Sequence, residues 1–169
     1  MNQGAPTIAR IALTVLGAVH LVVAIWHGET HAELAVALSP AQNLFVYVVI
    51  VLAPLVAVGL LWTRYVRLAL WLFLTALCAS LVFGTYYHYV YVSPDNIHHL
   101  PTGSAAAHTR FALSAAILAL VELASTLCAA FILGWHHASS NTTLHPTASV
   151  SHSAGSKARG LGVASERGR

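Results

Sequence analysis

The stretch that decides the fold is residues 51–72, VLAPLVAVGLLWTRYVRLALWL, where two apolar runs meet across a short break at residues 63–65. Each run extends for about 20 residues, the length that a helix needs to cross the hydrocarbon core of a bilayer. The break leaves room only for a tight turn, so we expect the two helices to form an antiparallel hairpin. The whole chain agrees with this interpretation, because it is 57% hydrophobic and only 8% charged, against about 25% charged in a soluble domain.

Apolar runs of this length occur four times, at about residues 6–26, 42–62, 66–92 and 108–135. Trp26, Trp62 and Trp135 each end a run, as interfacial aromatic residues do. No clear small-residue cleavage site follows the first run, so we expect it to be retained as a helix. The sequence therefore predicts an all-α, four-transmembrane-helix bundle over residues 1–137.

Basic residues predict the orientation of the bundle. Seven of the eight fall on one side: Arg10, Arg64, Arg67, Lys157, Arg159, Arg167 and Arg169. Arg110 alone falls on the other side, so the positive-inside rule places both termini in the cytoplasm. In a bacterial cell the membrane would be the inner one. Residues 138–169 are mostly Ser, Thr, Ala, Gly and His without periodicity, which predicts a disordered cytoplasmic tail.

In this orientation the first and third loops face outward together and form a histidine-rich polar cap. The first loop holds His27, Glu29, His31 and Glu33, and the third holds Asp95, His98 and His99. Thr30 and Glu33 have the spacing of a capping box, which predicts a short interfacial helix over residues 31–38. Ser39 and Pro40 then have the residue types of a helix cap and first helical position.

Polar residues inside the predicted helices indicate which faces point into the bundle. In the third run Ala76, Ser80, Gly84 and His88 recur every four residues and share one face. Such a small-residue stripe packs against other helices in membranes. His20 lies on a similar stripe of the first run, and Glu122 lies near the middle of the fourth. We therefore expect a polar pocket formed by His20, His88 and Glu122, because an ionised carboxylate facing lipid would cost several kcal/mol.

His27 and His31 stand four residues apart, a spacing that can present two imidazoles to one metal ion. The candidate ligand set is His27, His31, His88, Asp95, His98 and His99, whose imidazoles and carboxylate suit zinc, copper or iron about equally. The simpler alternative is an interfacial loop in which Glu33 serves a helix cap. The sequence does not identify a cofactor. A divalent transition metal fits these residues, whereas haem between His20 and His88 is disfavoured, because the two residues match only approximately in depth and there is no second pair of histidines.

Four stretches carry a family resemblance: residues 8–21 (IARIALTVLGAVHL), 51–72, 80–101 (SLVFGTYYHYVYVSPDNIHHLP) and 111–123 (FALSAAILALVEL). Over about residues 8–135 the chain resembles small bacterial four-helix membrane proteins of the DoxX-like kind. The resemblance implies a four-helix membrane fold and, for some members, a link to quinone or thiol redox systems. The cysteine-based redox motif of such a role is missing here.

These observations leave three functional hypotheses. We favour a non-enzymatic membrane protein whose polar cap serves assembly or stability. The first alternative is a metal- or proton-handling accessory of a membrane redox system. The second is a small enzyme that acts on a lipid-soluble substrate between the helices. The expected partner is the lipid bilayer, with a membrane-protein partner or a homo-oligomer also open. A net charge of +3, carried mostly in loops and tail, gives no reason to expect nucleic acid.

Overall fold

The computed structural model describes the backbone of residues 7–142 and the side chains of residues 7–135. It contains four long helices: α1 (Thr7–Glu33), α2 (Pro40–Leu61), α3 (Val66–Val90) and α4 (Ala105–Thr142). Each is long and apolar enough to cross a membrane, in α4 over Ala105–Trp135. No strand occurs within residues 7–142. The predicted all-α, four-helix membrane fold is confirmed. Of the predicted tail, residues 138–142 continue α4, and residues 143–169 lie outside the described residues.

Helix α1 runs through Gly28 to Glu33, so the predicted interfacial helix over residues 31–38 is wrong. The Thr30 hydroxyl does not cap a helix N-terminus. It donates instead to the His27 carbonyl oxygen, 2.7 Å away within the same helix. Two residues after the helix, Ala35 has a left-handed φ of 52°. The Val36 amide then donates to the His31 carbonyl at 2.9 Å, which closes the helix in a Schellman motif. The longer helix brings His27 and His31 onto its buried side together with Thr30.

The start of α2 and the hairpin after it follow the sequence. The Ser39 hydroxyl accepts from the Gln42 amide at 3.3 Å, and the Gln42 side chain accepts from the Ser39 amide at 2.8 Å. This is a complete capping box with Pro40 at the first helical position. The hairpin turn joins α2 to α3 between Leu61 and Val66, as predicted.

Two stretches within the helices are wound as π-helix, Val46–Leu52 in α2 and Tyr86–Val90 in α3. A π-turn is rare and often occurs at a functional site, because it re-aims the side chains that follow it. His88 lies in the second stretch and is buried. The first stretch faces α3 and α1. Both stretches lie near the end of the bundle where loops 34–39 and 91–104 meet.

The helices enclose two apolar clusters. Helix α4 packs against both α1 and α3, and α2 packs mainly against α3. The larger cluster includes Leu13, Leu61 and Phe73 and holds the end of the bundle opposite these loops together. The smaller cluster comprises Leu34, Val36, Ala107 and Phe111, with Ile97 and Leu100 packed against it. It ties both loops to α4, so we call this end of the bundle the capped end.

Candidate functional site

Three histidine side chains lie close together at the capped end. Two helices supply them, and a third helix packs against them. His27 and His31 lie one turn apart in the last part of α1, and His88 lies in the π-stretch of α3. Asp95 joins them because the chain turns back after α3, where the Ile97 amide donates to the His88 carbonyl at 3.1 Å. His27 and His88 are each 6% exposed and Asp95 is 4% exposed. The chain therefore buries three groups that normally contact water, and it partly buries the fourth, His31, whose side chain is 14% exposed.

The Nε2 atoms of the three rings converge. His27 Nε2 lies 3.1 Å from His88 Nε2 and 3.2 Å from His31 Nε2. The metal-binding atoms of all three residues lie within 4.8 Å of one another. Two nitrogens that share one tetrahedral metal ion, each about 2.0–2.1 Å from it, stand about 3.3–3.4 Å apart. The two separations from His27 Nε2 are thus close to those of a ligand set, and the ligand atoms of His31 and His88 lie within 4.8 Å of each other.

The outer nitrogens of two rings are already occupied by oxygen atoms. Ser114 Oγ donates to the Phe111 carbonyl, so it accepts from His27 Nδ1 at 2.9 Å. His88 Nδ1 lies 3.0 Å from the Asp95 carbonyl oxygen, which can only accept. Both rings therefore carry their proton on Nδ1 when neutral, and their Nε2 lone pairs point at each other. That arrangement is repulsive unless a cation, either a proton or a metal ion, lies between them.

The Asp95 carboxylate strengthens the case for a cation. Its Oδ1 lies 3.3 Å from His31 Nε2 and 3.1 Å from His88 Nδ1. Yet neither carboxylate oxygen accepts a properly aligned hydrogen bond from any described residue, and the same holds for His31 Nδ1. A buried carboxylate without hydrogen bonds is costly. A positive ion among the imidazoles would offset that cost.

The surroundings hold the rings in place. The Phe111 ring lies 5.0 Å from both His27 and His31 and 5.5 Å from His88, measured between centroids. It closes the α4 side of the cluster with hydrocarbon. Thr30 adds a second hydroxyl 3.5 Å from Ser114 Oγ. Ligating histidines generally have their other nitrogen bound in this way, which fixes the tautomer and the ring orientation.

A second polar group lies deeper, among the apolar parts of α1, α3 and α4. Glu122 Oε1 lies 3.3 Å from His20 Nε2 and accepts a hydrogen bond from the Ser80 hydroxyl. All three residues are at most 2% exposed. His20 is seven residues before His27, or about 10 Å along the helix axis. His20 and Ser80 thus give the Glu122 carboxyl group two partners at membrane depth, where a lone charge would be costly.

A cavity of about 680 Å³ connects the two groups. The upper group, which consists of His27, His31, His88 and Asp95, lines this cavity. Ser80 and Glu122 of the deeper, lower group line it as well. Its other walls are mostly apolar and include the π-stretch of α2. The volume is within the usual range of small-molecule sites, about 300–1,000 Å³.

The candidate residues named from the sequence thus divide into three sets. His27, His31, His88 and Asp95 form the upper cluster, and His20 pairs with Glu122 below it. His88 lines the same cavity as Glu122 but hydrogen-bonds to His27 and Asp95 rather than to the lower pair. His98 and His99 are exposed and stand apart from the cluster, where the Asn96 side chain binds the His98 amide and the His99 ring.

Sequence reasoning did not identify the residues that orient the ligands. Ser114 and Thr30 carry ordinary hydroxyls within helices, and Phe111 is one apolar residue among many. A weak signal was available, because Ser114 and Ser125 are three turns apart on the buried face of α4 that also holds Glu122. The partner of Ser114, His27 on α1, is 87 residues away in the chain, so only the fold reveals their contact.

Comparison with known proteins adds no further constraint: no protein-family profile, no curated protein and no solved structure matches this chain. The DoxX-like resemblance accordingly stays a prediction. The function must be inferred from the side chains themselves.

Proposed function

We propose that this membrane protein binds one divalent transition-metal ion at its capped end, with His27, His31 and His88 as ligands and Asp95 as the neighbouring carboxylate. One observation carries the proposal: three Nε2 atoms converge while the Nδ1 atoms of His27 and His88 are held by oxygen acceptors. Imidazole with carboxylate suits zinc, copper and iron. Three nitrogen ligands leave at least one coordination position open, as at catalytic metal sites.

The competing occupant of the site is a proton. A proton on His88 Nε2 would relieve the repulsion with His27 and pair with Asp95. In that state His31 Nε2, which lies 3.2 Å from His27 Nε2 and 3.3 Å from Asp95 Oδ1, would donate to one of them, whereas a metal ion uses the Nε2 lone pairs of all three rings. The third imidazole is what favours a metal ion over a shared proton.

The test is the metal content of the protein purified in detergent without chelator, and again after loading with zinc, copper or iron. We expect one equivalent of one metal in the wild type and less than a tenth of that in His27→Ala, His31→Ala and His88→Ala. His98→Ala and His99→Ala are matched controls, because these histidines are close in the chain but exposed. Circular dichroism confirms that each variant remains helical. A wild type that binds none of the three metals refutes the proposal, as does equal loss in the control variants.

We also propose that the capped end faces outward, since seven of the eight basic residues lie toward the other side in the predicted topology. Reporter fusions at Arg64 and in loop 91–104 test this. The first should report the cytoplasm and the second the exterior, and reversed signals would refute it.

A further inference from the structure

The cavity beside the proposed metal site has a polar side and an apolar side. At the capped end it is lined by Val36, Ala37 and Leu38 from the loop after α1. Its α2 wall is mainly hydrocarbon from Val46, Ile50 and Val51. The polar groups with the deepest burial, including Glu122 and Ser80, come from α3 and α4 on the opposite side. A molecule inside would meet polar atoms at one side and apolar side chains at the other.

One side of the cavity lies between α1 and α2. Two lining residues there, Ile25 on α1 and Tyr47 on α2, are 56% and 68% exposed, and three others, Gly28, Ala37 and Asn43, are exposed toward the capped end. Farther from the cap the two helices close up, because a Cβ on Gly17 would lie only 2.7 Å from Val58. Ile25 and Tyr47 both belong to membrane-crossing helices. An apolar chain bound in the cavity would therefore reach the bilayer between them.

The net charge of the proposed metal site indicates which head group a bound ligand would carry. Counted over its nearest groups, a divalent ion with three neutral imidazole ligands beside the Asp95 carboxylate leaves one net positive charge. An uncompensated charge in so apolar a site is costly. A carboxylate on the open coordination position would neutralise it, whereas an alcohol or a hydrocarbon would not.

We propose that this cavity binds a fatty acid, whose carboxylate completes the coordination of the metal ion and whose chain leaves between α1 and α2. This inference rests on the proposed metal site. The hydrocarbon wall of α2 takes the first part of the chain, and the gap between Ile25 and Tyr47 lets the rest extend into the bilayer.

The test uses the full-length protein loaded with Co²⁺, whose visible absorption reports changes in coordination. Dodecanoate, dodecanol and dodecane are titrated separately in a non-ionic detergent. We expect dodecanoate to change the spectrum to saturation, dodecanol to bind at least tenfold more weakly, and dodecane to have no effect. Equal effects of the acid and the alcohol refute the charge argument and with it the proposal.

Neighbouring residues of α2 supply a matched pair of variants. Val51 lines the cavity, whereas Leu52 is 53% exposed and does not. Val51→Trp should bind Co²⁺ normally and dodecanoate at least tenfold more weakly, and Leu52→Trp should behave as the wild type. If Val51→Trp is unfolded, Gly28→Phe replaces it with Gly59→Phe as control. A Cβ on either glycine meets no other atom within 4 Å, but only Gly28 lines the cavity.

The outcomes separate the two proposals. If cobalt binds stoichiometrically but its spectrum does not change with dodecanoate, the fatty-acid site is refuted and the metal site is still supported. Undiminished dodecanoate binding by the cavity-filling variants does the same. A protein that binds no cobalt, and none of the other metals, refutes both.

Discussion

Replacing Ser114 with Ala tests whether the hydrogen bond behind His27 matters for metal binding. The Ser114 hydroxyl accepts from His27 Nδ1 at 2.9 Å and donates to the Phe111 carbonyl. Without it, the His27 proton can move to Nε2, the atom that faces His88 and the metal position. A metal ion must then displace that proton and leave Nδ1 without its acceptor. Loss of such a partner typically lowers metal affinity 10–100-fold, or about 1.4–2.7 kcal/mol.

Ser125→Ala is the matched control, because Ser125 is equally buried on the same helix but its hydroxyl has no described hydrogen-bond partner. Both variants remove one buried oxygen from α4, so packing effects are similar. Competition against a chromophoric chelator gives the zinc dissociation constants, and thermal melting in detergent reports stability. We expect Ser125→Ala to bind like the wild type and to melt at the same or a slightly higher temperature. Identical zinc affinities in the two variants would show that His27 is not oriented through Ser114, and the ligand geometry would be wrong.

Three further variants test the helices that position the site. Gly17→Ala should lower the melting temperature, because its Cβ would stand 2.7 Å from Val58 and overpacking costs about 1–3 kcal/mol. Gly134→Ala meets no atom within 4 Å and should be neutral or stabilising by up to about 1 kcal/mol. An unchanged melting temperature in the first variant would refute the close approach of α1 and α2. Ala35→Gly should raise the melting temperature, since the left-handed conformation at φ 52° costs a residue with a Cβ about 1–2 kcal/mol. A lower melting temperature in this variant would show that the Schellman turn does not form.

The sequence was sufficient to predict the four helices and the faces they bury. Runs of about 20 apolar residues have few alternatives to a membrane helix, and polar side chains in them turn inward to avoid lipid. For that reason the burial of His20, Ser80, His88 and Glu122 followed from their positions alone. Ser39 likewise capped α2 because a capping box is a local motif whose partners are three residues apart.

Contacts between distant segments were beyond sequence reasoning. The local spacing of Thr30 and Glu33 suggested a helix start, but burial of His27 and His31 against Phe111 outweighed it and α1 continued. No local pattern distinguishes the buried Asp95 from the exposed His98 three residues later. That difference arises from the way loop 91–104 folds back onto α3, which depends on the packing of the apolar residues beneath it.

The two polar groups of the bundle differ in how completely they are satisfied, and this difference separates structural from functional roles. In the lower group Glu122 has both His20 and Ser80 as partners. In the upper group the Asp95 carboxylate and His31 Nδ1 lack aligned partners although they are buried. Packing alone would favour apolar residues at such positions, because unsatisfied buried polar groups cost about 1–3 kcal/mol each. Their presence in a chain this apolar favours an occupant that offsets their cost, and a metal ion held by the three Nε2 atoms would place a positive charge beside the buried Asp95 carboxylate.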